Sequence, residues 1–302
     1  MSTTTDRTLD GLPSVAEHGK PRGTLWPTLR AIYIIWYRDV LRYWRDRTRL
    51  VASLAQPLLF LIVFGTGLSS ALSGAGGGFG GPAAAQAGLT YTQFIFPGII
   101  GMSVLFSAIF GAMSIVWDRE FGFLKEVLVA PIDRSAVAIG KSLGGATQAM
   151  VQGLILLVLA PVIGVKLTFG SVAALIPLVF VLAFALSSMG VAIASRMRSM
   201  QGFQVVMNFL MMPMFFLSGA LFPLSGLPDW MTVLNRIDPA AYGMDPLRRV
   251  VLEGAGLPSA ALDRMGLTLF NNVLPIAIEA AILLGFGVVM LLIAVRNFRV
   301  RD

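Results

Sequence analysis

From Leu50 through Trp117 the chain carries no Asp, Glu, Lys, Arg or His. One helical crossing of a bilayer takes roughly 20 apolar residues, so this run is too long for a single span. Its middle, Ser73 to Pro82, is dominated by Gly and ends in Pro, the two poorest helix formers. The run therefore reads as two spans, 50–72 and 93–117, joined by a flexible loop. Four further apolar stretches follow at 135–164, 171–195, 201–223 and 272–295. The pattern predicts an all-α membrane protein with six transmembrane helices.

The flanks of these runs are patterned differently. Residues 1–25 are polar and read as a flexible cytoplasmic tail, with 26–302 forming a single transmembrane domain. Over 27–48, Leu29, Ile32, Tyr33, Trp36, Val40 and Trp44 recur at spacings of three and four, while Arg30, Arg38, Arg42, Arg45 and Arg49 fall mostly elsewhere. That is an amphipathic helix lying flat on the cytoplasmic membrane surface, or else a plain extension of the first span. Gln56-Pro57 predicts a bend in the first span. Gly98, Gly101, Ser103, Ser107 and Gly111 make the second span suited to close helix packing. The outside segment 223–271 is interrupted by Pro and predicts short helices in or near the outer leaflet.

Composition confirms the class and charge orients it. Hydrophobic residues make up 56% of the chain, charged ones 13%, and the mean hydropathy is +0.78, which leaves no room for a sizeable soluble domain. The tail lacks an apolar core segment, so the first apolar run is expected to be an anchor and not a leader. With both termini cytoplasmic, eighteen of the 23 Lys and Arg fall inside and five outside (Lys166, Arg236, Arg248, Arg249, Arg264). This is the positive-inside distribution of a multi-pass protein of the cell (plasma) membrane, and it removes the case for nucleic acid.

The chemistry the chain lacks is equally informative. It has no Cys, and its single His, His18, lies in the tail, so neither thiolate catalysis nor a His-based metal or acid–base site is expected. Glu279 is the one acidic side chain within the spans, which argues against an intramembrane enzyme with paired carboxylates. It reads as a membrane-embedded charge that reaches the outer interface or pairs with an outer-leaflet Arg, a structural role in preference to a transport role. Gly140-Lys141-Ser142 resembles the end of a phosphate-binding loop. The required earlier Gly is Ser135 and no strand precedes it, so no ATP site is expected in this chain. Gly140-x-x-x-Gly144 reads instead as a small-residue helix contact.

The connection from Trp117 to Glu126 mixes Asp118, Arg119, Glu120, Lys125 and Glu126 with Phe121, Phe123 and Leu124. Mixed charge with aromatics suits docking on a soluble partner, the alternative being a solvated loop. Asp118-Arg119-Glu120-x-Gly122, then Ala130-Pro131, Arg134 and Gly140-Lys141, is similar to the cytoplasmic signature of ABC transporter type-2 permeases. Phe216 to Pro223 with Leu227-Pro228 and Trp230 resembles that family's fifth-span exit. Asp238-Pro239-Ala240-Ala241-Tyr242 resembles its Asn-Pro-Leu-Thr-Tyr block, with Asp for Asn and Ala-Ala for Leu-Thr. Among relatives, the daunorubicin-resistance permeases of drug exporters look nearest.

The resemblance implies a G-subfamily exporter-like transmembrane domain with an N-terminal connecting helix. It also implies two permease chains, as a homodimer or heterodimer, above two copies of a separate ATPase that binds ATP and Mg. Asp118, Arg119, Glu120, Phe121, Gly122, Phe123, Lys125 and Glu126 would couple to that ATPase, with Arg196 and Arg198 as a second contact. The fifth span carries Met200, Met207, Met211, Met212 and Met214 among Phe203, Phe209, Phe215 and Phe216. Such a surface either repacks around varied apolar ligands or simply packs helices. If the family arrangement holds, this span and the second line the dimer interface, with Asn208, Phe209, Met212 and Phe216 along a substrate pathway. The expected function is that of a permease subunit moving amphipathic drugs or lipids outward. A polysaccharide or glycolipid exporter, or a non-transporting assembly or signalling subunit, are the alternatives.

Overall fold

The structure, a computed structural model, describes residues 25–68, 90–121, 133–222, 224, 227–258, 262, 265–269 and 272–300. Two helices open it, α1 (Leu25–Arg45) and α2 (Arg47–Ile62), the latter continuing as a π-helical stretch, Val63–Leu68. Then come α3 (Tyr91–Gly111) and α4 (Met113–Glu120), which together make one span. Next are α5 (Arg134–Leu159) with a short 3-10 turn, α6 (Phe169–Ala194) and α7 (Met200–Leu217). Two short helices, α8 (Asp229–Ile237) and α9 (Ala241–Gly254), precede a two-residue antiparallel hairpin, β1 (Thr268–Leu269) and β2 (Asn272–Val273). The final helix is α10 (Ile276–Val300). Among the described residues five spans are long and apolar enough alone, and a sixth is reached when the bent pair of α1 and α2 is taken as one.

Polar side chains set where the spans begin. Thr90 and Gln93 form a reciprocal capping box on α3, Asp133 accepts from Ser135 N–H at α5, and Thr168 and Ser199 cap α6 and α7. Two boundaries differ from expectation. Residues 272–273 are strand, so the last span starts only at Ile276 and carries Arg296 and Arg299 on its final turns. The fifth span stops at Leu217, because Gly219 takes φ 75° and turns the chain inward; Ala220 and Leu224 are buried there.

α2 runs through Pro57 without a break, and a sharp 69° turn lies between α1 and α2. Pro57 has no N–H for the carbonyl of Ser53 four residues earlier. Gln152 of α5 supplies the missing donor, its Nε2 lying 2.8 Å from Ser53 O. A neighbouring span thus satisfies the freed carbonyl, as a helix in hydrocarbon requires.

At the centre stands α3, with fifteen of its 21 residues buried, packed by α5, α6 and α9. Its glycines permit this. A Cβ on Gly98 would collide with the backbone of Ala220, and one on Gly101 with the Met244 side chain of α9. The short helix α9 is therefore not laid on the surface but wedged among α3, α6 and α10, with Tyr242, Leu247 and Val251 buried. α10 lies along α6, where Gly287 faces Ala185.

Candidate functional site

The last turn of α4 places consecutive charged side chains in different directions. Asp118 turns inward, is 6% exposed, and sits 3.1 Å from the Nζ of Lys141. Lys141 also reaches Asp39 Oδ2 at 3.1 Å and Ser114 Oγ at 3.0 Å. Arg38 closes the rim, 3.6 Å from Asp39 and 3.5 Å from Asp118. Two cations thus meet two carboxylates where α1, α4 and α5 converge. Close approach makes this possible: a Cβ on Gly140 would lie 2.9 Å from Ile35, and one on Gly144 3.2 Å from Asp39. The Gly140-x-x-x-Gly144 pair is the seat of α1, whose Ile35, Asp39 and Tyr43 form its buried stripe. Trp36 adds a hydrogen bond from Nε1 to Thr147 Oγ1 at 2.9 Å. The opposite side of α1 leaves Trp26, Leu29, Tyr33, Ile34, Tyr37 and Trp44 exposed.

Arg119 and Glu120 turn the other way, to the connection between α6 and α7. Arg119 Nη1 donates to Ser195 O at 3.0 Å and Met197 O at 2.7 Å, at the C-terminal end of α6. Glu120 Oε2 accepts from Met200 N–H at 2.9 Å, at the start of α7. Each charge has the sign the local helix end favours. Arg196 extends the network to Asn297 of α10 at 3.3 Å, and Asn297 donates to Ser195 Oγ at 2.9 Å. Arg198 is exposed, as are Trp117 and Phe121, whose rings lie 4.8 Å apart.

The expected coupling set is therefore divided. Asp118 is held inside and is not offered to a partner, while Arg119 and Glu120 are bonded within the chain. Trp117, Phe121 and Arg198 face outward. Gly122, Phe123, Lys125 and Glu126 lie outside the described residues. Sequence reasoning missed Asp39 as the partner of Lys141. The available signal was an acid four residues from Ile35 and from Tyr43, in line with an apolar stripe.

α7 has two distinct faces. Phe203, Met207, Met211, Met214 and Phe215 are buried, mainly against α3 and α4. Asn208, Phe209, Met212 and Phe216 share the opposite side, with Phe209 82%, Met212 55% and Phe216 50% exposed. The Met-rich sequence thus separates into packing residues and an uncovered stripe. The second span does not share that stripe: α3 is turned into the bundle, and from Tyr91 to Gly111 it exposes no residue fully.

At the other end, Glu279 is buried in the first turn of α10, and its Oε1 accepts from Arg249 Nη1 at 3.2 Å. Arg249 also donates to Leu274 O at 2.7 Å and lies 3.6 Å from Asp245. Arg248 is fully buried, 4.7 Å above the Phe94 ring, with Nη1 3.3 Å from Phe222 O. In the Asp238–Tyr242 block, Asp238 Oδ1 accepts from Ala240 N–H at 2.9 Å and Tyr242 O–H donates to Arg236 O at 2.8 Å. The block clamps α8 to α9. Burial pushes the Asp238 carboxyl up to about 7, against the opposing Ala240 bond. Among the described residues no group of three or more His, Cys, Asp or Glu is placed to hold a metal ion.

Residues 30–252 match the family model described as ABC-2 type transporter. The chain is 24% identical over 245 residues to the putative transport permease ycf38 of Cyanophora paradoxa, covering 80% of this chain and 81% of that protein. It is 26% identical over 236 residues to nodulation protein J of Rhizobium leguminosarum bv. trifolii, covering 77% and 83%. With the probable multidrug ABC transporter permease YbhR of Escherichia coli K12 it shares 28% over 171 residues, covering 56% and 46%. A multi-span helical bundle and a match over most of its length place the chain in the ABC-2 type transporter family, as a transport permease that is not itself an enzyme, the ATPase being a separate subunit.

Proposed function

We propose that this chain is the membrane half of an ATP-driven exporter of amphipathic drugs or lipids. Two copies face one another across the uncovered stripe of α7, above two copies of an ABC ATPase that binds ATP and Mg. Both termini are cytoplasmic, in keeping with the basic split, and the membrane is the plasma membrane. The observation that carries the reading is the triple attachment of Asp118-Arg119-Glu120. Asp118 is bonded to α5 and α1 through Lys141, Arg119 to the end of α6, and Glu120 to the start of α7. A push on the exposed Trp117–Phe121 pair by the ATPase is thereby delivered to four helices at once.

The cargo assignment follows from the apolar stripe of Phe209, Met212 and Phe216, with Asn208 as its polar handle, and from the multidrug relative. A polysaccharide or glycolipid cargo is the competing reading, and kinship with the daunorubicin-resistance permeases rests on sequence resemblance alone. The test is export measured in cells expressing the chain with its ATPase. Arg119→Ala with Glu120→Ala should lower export by about tenfold or more while membrane abundance holds and ATP is still hydrolysed. Each lost charge-assisted bond is worth roughly 1.5–3 kcal/mol. Undiminished export would refute the coupling role.

A further inference from the structure

The polar cluster around Glu279 stands at the end of α10 farthest from Asn297 and Arg196, ~27 Å away along the axis at 1.5 Å per residue. Three elements meet there. Asp245 of α9 accepts from Leu267 N–H at 3.0 Å through Oδ2, just before β1. Arg249 of α9 donates to Leu274 O, just beyond β2, at 2.7 Å, and to Glu279 Oε1 on α10 at 3.2 Å. Leu274 N–H in turn donates to Leu267 O at 3.1 Å. The hairpin and the first turn of α10 are thus fastened to α9 through two carboxyl groups and one guanidinium.

Those two carboxyl groups are incomplete as they stand. Glu279 is 0% and Asp245 1% exposed. With Oδ2 and Oε1 engaged, Asp245 Oδ1 and Glu279 Oε2 remain, both buried and both without a hydrogen-bond partner. Yet the two side chains lie within hydrogen-bonding reach of one another. Ionised carboxylates only accept, so their contact is repulsive until one of them carries a proton. A single proton there satisfies both orphaned oxygens at once.

Among the described residues, no neighbouring group does so instead. Arg248 is fully buried and acts on Asp245 through space, but its Nη1 donates to Phe222 O and its Nε and Nη2 bond nothing. Tyr242 donates its O–H to Arg236 O, Arg236 donates from Nε to Thr268 O, and Asp238 accepts from Ala240 N–H. Of α3, Tyr91 stands near Arg248, and α6 carries no ionisable side chain. A metal ion does not suit the place, since Arg249 Nη1 already lies 3.6 Å from Asp245 and 3.2 Å from Glu279. A proton needs no cavity. Arg249, with its side chain 12% exposed, links the pair to solution.

We propose that Asp245 and Glu279 form a proton-binding site, one proton shared between Glu279 Oε2 and Asp245 Oδ1, and that this proton latches the hairpin and the start of α10 to α9. Its release to the solution on that side leaves two facing carboxylates, whose repulsion parts α10 from α9. The latch needs neither a second copy nor an ATPase, so it stands apart from the export reading.

The full chain in lipid nanodiscs is examined by infrared spectroscopy. At about pH 8.5, where Asp238 is largely ionised, the natural chain should show the carbonyl stretch of a protonated carboxyl. Glu279→Gln, whose amide donates the same hydrogen bond, should lack it, as should Asp245→Asn, while Asp238→Asn keeps it. Leu283→Cys supplies the one thiol of the chain, buried against Gly243 of α9, and its maleimide labelling reports the latch. Thiol reactivity itself rises with pH, so each rate is divided by that of the same thiol in the Glu279→Gln background. The ratio should climb about fivefold or more over the interval in which the carbonyl band disappears. The proton site is overturned if the band is missing, or if it survives in either well-folded variant, Glu279→Gln or Asp245→Asn. The latch is overturned if the ratio stays flat while the band disappears, or if the band persists to about pH 10.5, since such a site would not release its proton.

Discussion

Lys141 stands about two turns into α5, where an ammonium survives only because Asp39, Asp118 and Ser114 surround it. Lys141→Met leaves two buried carboxylates facing Arg38 alone, and breaking a buried pair from one side costs roughly 3–5 kcal/mol. A fall in thermal unfolding temperature in nanodiscs is expected, and adding Asp39→Asn should restore much of it by removing the surplus charge. If the single variant melts like the natural chain, the cluster contributes nothing to stability. Asp238 gives a pH dependence instead. The folded chain holds its proton up to about pH 7, whereas the unfolded chain releases it near the ordinary 3.8. Unfolding therefore releases a proton between those values, so stability falls as pH rises through that window, by at most about 1.4 kcal/mol per pH unit. The penalty is absent below the lower value and fully in force above the upper one. Asp238→Asn keeps the acceptor for Ala240 N–H and should flatten the profile, gaining stability at pH 8 and little at pH 4. An unchanged slope from unfolding at a series of pH values would show that Asp238 is not its source.

The helix α1 is seated on α5 at Gly140 and Gly144, and that fit is testable at the level of the element. Gly140→Val would drive a branched side chain into Ile35, already 2.9 Å from a bare Cβ, at a cost of about 1–3 kcal/mol if α1 must shift. Because the chain has no Cys, a thiol placed at Tyr43, on the same buried stripe of α1, reports alone. Maleimide should label it slowly in the natural background and several-fold faster with Gly140→Val; equal rates would mean α1 docks without the glycine seat. The spans were legible in the sequence because hydrocarbon imposes a long apolar run. The face of α1 was only half legible. Hydrophobic periodicity picks out Leu29, Tyr33 and Trp44, which the structure leaves exposed, while the stripe that actually packs contains Asp39. A buried acid looks polar until its partner, here 102 residues away, is known. The same blindness hid the partner of the Ser53 carbonyl freed by Pro57, since a donor from Gln152 has no local signature.

For the whole molecule, what remains uncovered defines the assembly. α3 shows almost nothing outward, whereas α7 rests on α3 and α4 by one face and leaves Phe209, Met212 and Phe216 bare. The grouping of these three was readable from spacing alone, but that they stand apart from the second span was not, because it depends on which helices surround α3. Lipid would tolerate such a stripe, so exposure by itself does not distinguish a dimer seam from a lipid face. Two copies related by a two-fold axis do distinguish them, since a residue near that axis meets its own equivalent. Phe209→Cys should therefore give a covalent dimer with a short bismaleimide in native membranes, every cross-link necessarily joining two chains because no other thiol exists. Phe180→Cys, on the outward side of α6 at 39% exposure, is the control and should stay monomeric under the same reagent. Dimer from both positions alike would indicate random collision, and dimer from Phe180→Cys alone would move the seam to α6. Cross-linking confined to Phe209→Cys, and weakened when Phe216 is changed to Ala in the same chain, would place α7 between the two copies.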